Sequence, residues 1–228
     1  MKDRRSFYRY SPTIRFSKGE TIILGGVIPN HIYCIKSGIV ENFNYIISGN
    51  QQSMSFDVIG DIFPKCCAFQ KTTRTLFEYR AFTDCELYYF SINEFQSQIK
   101  NNIDFTIKML DRSTSSLLAS TLKVEALEKP QAIQKIVYLF RYFCVLYGSS
   151  RSNGIVRIDV PITQLWLAQL TGLTRATINA VLSKLKKEKL FTYCNKHYTV
   201  DTIKLNSIID NDYEYKTSLN LLHKKTMK

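Results

Sequence analysis

The stretch LAQLTGLTRATINAVLSKL, Leu167 to Leu185, constrains this chain more than any other. Its apolar residues keep a helical period on either side of Gly172 but not through it. Thr163 stands ready to cap a helix beginning at Gln164. That helix, QLWLAQLT, stops at Gly172, the residue that enters the left-handed C-cap conformation without a Cβ penalty. Thr174 then caps a second helix from Arg175. The spacing predicts two helices joined by a tight turn, a helix-turn-helix. Ala168 is small where the helices must cross, and Leu167, Leu170, Leu173, Ile178, Val181, Leu182 and Leu185 fall on the facing sides.

What remains on the free face of the second helix is Arg175, Ala176, Asn179, Ala180 and Ser183. Positions i, i+1, i+4, i+5 and i+8 form one stripe at 3.6 residues per turn. The stripe is small, holds no acid and begins with a cation. A helix that enters the major groove needs such a face, with cation or amide where it meets base edges. A bland reading exists for each residue: Arg175 and Asn179 can simply be solvated. Arg175 nonetheless opposes the helix dipole, so solvation alone does not account for it. Lys184, Lys186, Lys187 and Lys189 suit a solvated helix end and also add to a phosphate-attracting field. Phe191 to Val200 alternates around Asn195-Lys196 and reads as a hairpin. The whole makes a winged helix-turn-helix with Lys196 at the wing tip.

Charge supports this placement. Residues 129–228 carry 16 lysines and arginines against 6 acids, whereas residues 1–128 carry 15 against 13. The basic excess sits with the helix-turn-helix and favours a polyanionic partner, nucleic acid or an anionic membrane surface; charge alone does not choose between them, and the helix-turn-helix points to double-stranded DNA. The six cysteines, Cys34, Cys66, Cys67, Cys85, Cys144 and Cys194, form no C-x-x-C, and no histidine pair has zinc-ligand spacing, so no metal site is expected. The start, MKDRRSFYRYSPTIRF, lacks the apolar core of a secretory signal. The greasiest run, IVYLFRYFCVLY, is too short to span a bilayer and contains Arg141, so it reads as a buried helix. A reduced cytoplasmic setting and no membrane partner are the expectations. No nucleophile elbow, P-loop, zinc or acid-pair motif occurs, which argues against an enzyme.

The rest of the chain gives an α+β organisation. From Thr13 to about Phe90, short β-branched and aromatic runs alternate with SKGE, GG, SG, SGN and IGD, the pattern of an antiparallel sandwich or roll. Residues 93–127 contain no Gly or Pro and predict one long helix. Ile103, Ile107, Leu110, Thr114, Leu117, Thr121 and Val124 recur at steps of four and three, a seam narrow enough to pair with a twin helix. Pro130 ends it, Gln131 to Tyr147 forms another helix, Gly148 to Gly154 a loop and Ile155 to Val160 a short strand. The divisions expected are 1–100 for the β-roll, 101–128 for a dimerisation helix and 129–228 for the winged helix-turn-helix.

ITQLWLAQLTGLTRATINAVLSKLKKEKLF, with FSKGETII, IYCIKSGIV and VIGDIFP, resembles the Crp/Fnr family of bacterial transcription regulators. The order of β-roll, long helix and winged helix is the family's order. The resemblance implies a cyclic-nucleotide-binding-like β-roll and a homodimer on a pseudo-palindromic promoter site, with RNA polymerase as a further partner. It also implies that a small molecule in the roll shifts the DNA domains through the long helices. The family's recognition helix carries an Arg-Glu pair and a further Arg four residues after the Glu. Arg175 matches the first Arg, whereas Ala176 and Ala180 stand at the other two positions. Thr174 and Thr177 match phosphate-contacting hydroxyls.

The effector cassette of the family, Gly-Glu for the ribose and Arg-Ser for the cyclic phosphate, is not met. Pro64-Lys65 follows Asp61-Ile62-Phe63, and Thr75-Leu76 stands where Arg-Ser belongs, with Arg74 one residue off and expected on the opposite face of a strand. Cyclic AMP is therefore disfavoured; no cysteine cluster signals an iron–sulfur centre, and nothing signals haem. Lys65, Cys66, Arg74, Thr75 and Tyr79 are the candidate pocket, a cation beside aromatics that suits a small organic anion. The competing reading makes Cys66 and Cys67 small buried hydrophobes and Lys65 a solvated cation. As a whole, the leading expectation is a DNA-binding regulator answering to an effector other than cyclic AMP, or active without one. The alternative is a ligand-binding module whose helix-turn-helix serves protein contacts only.

Overall fold

The β-branched runs between Thr13 and Phe90 form short antiparallel strands in the computed structural model, which describes residues 11–45, 49, 51–151 and 153–212. In chain order they are β1 (Thr13–Phe16), β2 (Thr21–Ile23), β3 (Ile32–Ser37), β4 (Val40–Tyr45), β5 (Gln51–Asp57), β6 (Ile62–Phe63), the one-turn helix α1 (Lys65–Ala68), β7 (Glu78–Ala81) and β8 (Cys85–Phe90). One four-stranded sheet runs β1-β8-β3-β6 and the other β2-β7-β4-β5. Period-two alternation sets the inward faces. Tyr79 and Ala81 of β7 point in with Val40 of β4 and Leu87 of β8, while Glu78 and Arg80 are less buried. Tyr33, Phe63 and Tyr79 stack in series at ring separations of 5.5 and 5.0 Å, filling the roll between its sheets.

Ser91 caps α2 (Ile92–Asn101) through a full capping box with Glu94. The helix then stops, so the single long helix expected from residue 93 is in fact two. Asn102 leaves the helical region at φ −128, ψ 93, and its side-chain oxygen accepts from the Phe105 N–H at 3.1 Å, capping the next helix. That helix, α3 (Ile103–Glu128), is long and continuous. Phe105 and Met109 are buried with Ile32, Cys34, Ile62, Phe90 and Phe95. Ile103, Ile107, Leu110, Thr114, Leu117, Thr121 and Val124 are all exposed, with Ile103 at 71%, Leu110 at 65% and Leu117 at 68%. In the first unit, Ile103, Ile107 and Leu110 therefore face away from the core that takes Phe105 and Met109.

The chain divides into two compact units between Ser113 and Thr114, inside α3. In the second unit follow α4 (Ala132–Tyr147), β9 (Gly148–Ser150), β10 (Ile155–Ile158), α5 (Gln164–Thr171), α6 (Arg175–Lys187), β11 (Phe191–Cys194), β12 (His197–Asp201) and α7 (Thr202–Asp212). Here the predicted loop after Tyr147 begins with a short strand, because residues 148–150 pair with 156–158. The third sheet runs β11-β12-β10-β9. The greasy α4 is buried over most of its circumference. Phe140 stacks on Phe191 and meets Tyr198 edge-on, both at 5.0 Å, and Phe143 reaches Trp166 at 5.7 Å. This aromatic cluster fixes α5 and the hairpin to one support. At the start of the unit three contacts join the end of α3 to α4. The Lys135 ammonium donates to the Leu127 carbonyl, the Lys129 ammonium lies 4.0 Å from the Tyr138 ring centroid, and Arg141 pairs with Glu125 at 3.6 Å. Among the described residues no helix is long and apolar enough to cross a membrane.

Candidate nucleic-acid interface

The turn at Gly172 is built as its sequence requires. Thr163 Oγ1 accepts from the Trp166 N–H at 3.1 Å, α5 ends at Thr171, and Gly172 takes φ 70, ψ 7 with its N–H on the Ala168 carbonyl. Thr174 Oγ1 accepts from the Thr177 N–H at 3.1 Å and lies 2.9 Å from Thr177 Oγ1, opening α6. Each such cap contributes about 1 kcal/mol. Leu167, Leu170, Ile178, Leu182 and Leu185 are buried between the helices and α4, and Leu173 and Val181 are half-buried. Ala168 is half-buried at the crossing.

Packing that side leaves the other open. Thr174, Arg175, Ala176, Asn179, Ala180 and Ser183 are exposed and Thr177 is half-buried. Among the described residues neither the Arg175 guanidinium nor the Asn179 amide has a hydrogen-bond or ion-pair partner. The face holds no carboxylate, and the lysines at 184, 186 and 187 close the helix. The result is a narrow row of donors on a firmly supported helix.

The wing stands beside it. β11 and β12 pair from Phe191↔Val200 to Cys194↔His197, leaving Asn195 and Lys196 as a two-residue turn at φ 49 and 65. A turn of this kind wants positive φ at both central residues, where Asn and Gly are the ordinary choices. Lysine in the second place bears a conformational cost, and its exposed ammonium marks the wing tip.

In the roll, Lys65, Cys66 and Tyr79 lie around Asp57, while Arg74 and Thr75 bond to the segment from Leu24 to Gly26. Arg74 is in a loop, not on a strand, so the strand-face argument for it does not apply; its guanidinium donates to the Gly26 carbonyl at 2.9 Å. Thr75 is buried, its hydroxyl donating to the Leu24 carbonyl at 2.8 Å and its N–H to the Val27 carbonyl. Lys65 and Cys66 start α1, and Tyr79 is buried in the aromatic stack. Burial pushes the Tyr79 phenol up, reinforced by nearby Asp57, Cys66 and Cys67.

Asp57 is the residue that sequence reasoning missed. It is buried, 3.4 Å from Lys65 Nζ, and accepts from Asn42 Nδ2 at 3.1 Å; Asn42 in turn bonds Ser55 at 2.8 Å. Burial pushes its carboxyl above the ordinary range against the pull of Lys65. Burial works the other way on Lys65, but Asp57 and Asp61 outweigh it and hold the ammonium above its ordinary value. Lys65 is thus an ion-pair partner rather than a solvated cation. Behind the other face of the same sheet Glu41 is 2% exposed and fully satisfied by Arg80 at 2.8 Å and Ser53 at 2.6 Å. Cys67 is buried and Cys66 half-buried. Among the described residues no group of acids, cysteines and histidines is placed to hold a metal ion.

Comparison with known proteins agrees with both units. A cyclic nucleotide-binding domain model matches residues 13–102, and a Crp-like helix-turn-helix domain model matches residues 138–206. The global nitrogen regulator of Synechocystis sp. is 23% identical over 187 residues, covering 81% of this chain and 82% of that protein. The nitrogen fixation regulation protein FixK of Rhizobium meliloti is 22% identical over 189 residues, covering 83% and 82%. Among solved structures, a CooA mutant from Carboxydothermus hydrogenoformans superposes with a TM-score of 0.72 at 18% identity, covering 91% and 92% of the two chains. CprK complexed with OCPA gives 0.65 at 16%, covering 88% and 91%. These structural likenesses speak for the fold.

Proposed function

The chain belongs to the Crp/Fnr family of DNA-binding transcription regulators, and from that premise we propose that it acts as a homodimer on a pseudo-palindromic site, gated by a small molecule other than cyclic AMP or competent without one. The observation that carries the reading is the exposed, acid-free face of α6 from Arg175 to Ser183, held rigid from behind by buried leucines. In this reading Arg175 meets guanine bidentately, Thr174 and Thr177 meet phosphates, and Lys196 meets the backbone flanking the groove. Ala176, Asn179, Ala180 and Ser183 complete the contact face.

The dimer reading rests on the seam of α3. Seven positions at heptad-like spacing are exposed in a single chain, and five of them are Ile, Leu or Val. A surface of that kind is ordinarily covered. Twofold pairing would set the two copies of α6 about 34 Å apart, one duplex turn. We assign residues 1–100 to effector sensing, 101–128 to pairing and 129–228 to DNA binding, with a cytoplasmic setting and RNA polymerase as the partner on the promoter. The switch is a shift between two dispositions of the DNA-binding part about residues 128–130, weighted by the contacts of Lys135, Lys129 and Arg141 across that joint.

Against cyclic AMP stands Thr75, at the place of the family's Arg-Ser, whose hydroxyl is already bonded to the Leu24 carbonyl. In this reading Lys65, with Cys66 and Tyr79 beside it, is the cation for an organic anion, which would displace Asp57 from it. The relative CprK has been solved with the ligand OCPA.

Binding to duplexes carrying two half-sites at different spacings tests the proposal. Full affinity is expected at one helical turn, with a steep loss when five base pairs are inserted. Equal affinity at both spacings would remove the twofold dimer.

A further inference from the structure

We propose that Asn179 is the adenine-reading residue of α6, and that Ala176 and Ala180 beside it receive thymine methyl groups. The inference rests on the DNA-docking reading above and adds base identity to it. The exposed face consists of two parallel rows. Arg175, Asn179 and Ser183 form a polar row at intervals of four, and Ala176 and Ala180 form a methyl row alongside.

The chemistry of each row is specific. The free Asn179 carboxamide offers an oxygen acceptor and an N–H donor side by side. Adenine presents the matching pair, its N6 amine and N7, in the major groove. Guanine presents two acceptors there, which suit Arg175 instead. The thymine paired with that adenine shows its C5 methyl in the same groove, and the methyl row lies next to Asn179 to meet it. Nothing on the face accepts a hydrogen bond as a carboxylate would, so cytosine N4 has no charged partner on it. Ser183, two turns along, bonds donors or acceptors alike and adds little choice.

Spacing limits where the adenine falls. Four residues advance the helix by about 6 Å, and successive base pairs are about 3.4 Å apart, so the backbone offset places adenine within about two steps of the guanine met by Arg175.

Selection of bound duplexes from a randomised pool by the full-length protein, followed by competition binding of single-base variants, tests this. The wild type should enrich an adenine within two steps of a guanine in each half-site. Asn179→Ala should lose about tenfold or more of the discrimination at that adenine while keeping the guanine preference. Asn179→Asp, which can only accept, should move the preference there toward cytosine. Replacing the paired thymine by deoxyuridine should weaken the wild type several-fold. Asn179 is exposed, so an unchanged melting curve will show that each variant is folded. An enriched site whose preferences Asn179→Ala leaves intact at every position overturns the inference while leaving DNA binding standing. A wild-type protein that enriches no sequence overturns both.

Discussion

Gly172 gives the sharpest test of the turn on which the DNA-binding face depends. At φ 70 it occupies the left-handed region, and an ideal Cβ built there meets nothing within 4 Å. Replacement by alanine therefore carries no steric term. What remains is the backbone cost of a Cβ in that region, about 1–2 kcal/mol, partly offset by about 0.4–1 kcal/mol of reduced freedom in the unfolded chain. The net destabilisation expected for Gly172→Ala is about 1 kcal/mol, which for a unit near 100 residues lowers the melting temperature by about 4–8 °C. Asparagine tolerates the same conformation, so Gly172→Asn should lose clearly less. The chain's single tryptophan makes the assay local: Trp166 is 2% exposed in α5, so its fluorescence follows unfolding of the second unit alone. If alanine were neutral or stabilising, or if asparagine were as costly as alanine, the residue would not hold positive φ in solution and the turn would be wrong.

Other substitutions test separate links. Arg175→Ala should weaken binding to the selected site by about 1–3 kcal/mol with relaxed choice at one base, read by fluorescence anisotropy. Leu117→Glu places a charge in the exposed α3 seam and should weaken self-association by about 3–5 kcal/mol, seen as monomer by analytical ultracentrifugation. Lys196→Gly relieves the positive φ and should raise stability by up to about 1 kcal/mol, while the slope of log K against log salt shrinks by about 1 for each phosphate that is no longer neutralised. Thiol labelling of the native protein near neutral pH should modify exposed Cys194 first. It should leave the buried Cys34, Cys67 and Cys85 to the last, with half-buried Cys144 also slow because burial pushes its thiol up to about 12 and little thiolate exists.

The helix-turn-helix was legible because every signal in it is local. Thr163, Gly172 and Thr174 act on backbone groups within four residues, and the leucine period shows at once which faces pack. The hairpin around Asn195-Lys196 was legible for the same reason. The α3 seam could be read as a pattern; the interruption at Asn102 is also a local signal, an asparagine cap on the Phe105 N–H, but the unbroken run without Gly or Pro masked it. The interior of the roll was the least legible. Lys65 is near the anion-site position in sequence, but its partner Asp57 comes from the end of β5 and is fixed in turn by Asn42 from β4. Arg74 has the residue type and nearly the position of a phosphate ligand, yet its guanidinium is taken by the Gly26 carbonyl, 48 residues away. Pairings made by sheet register do not show in spacing along one strand.

The claim beneath all of this is that the α6 face from Arg175 docks a duplex among phosphates. Titrating salt against affinity for the selected duplex measures it most directly. Three phosphate contacts from each of two protomers, drawn from Lys184, Lys186, Lys187 and Lys196, predict a slope of log K against log salt of about −5. A flat response, with the protein folded throughout, would contradict the account.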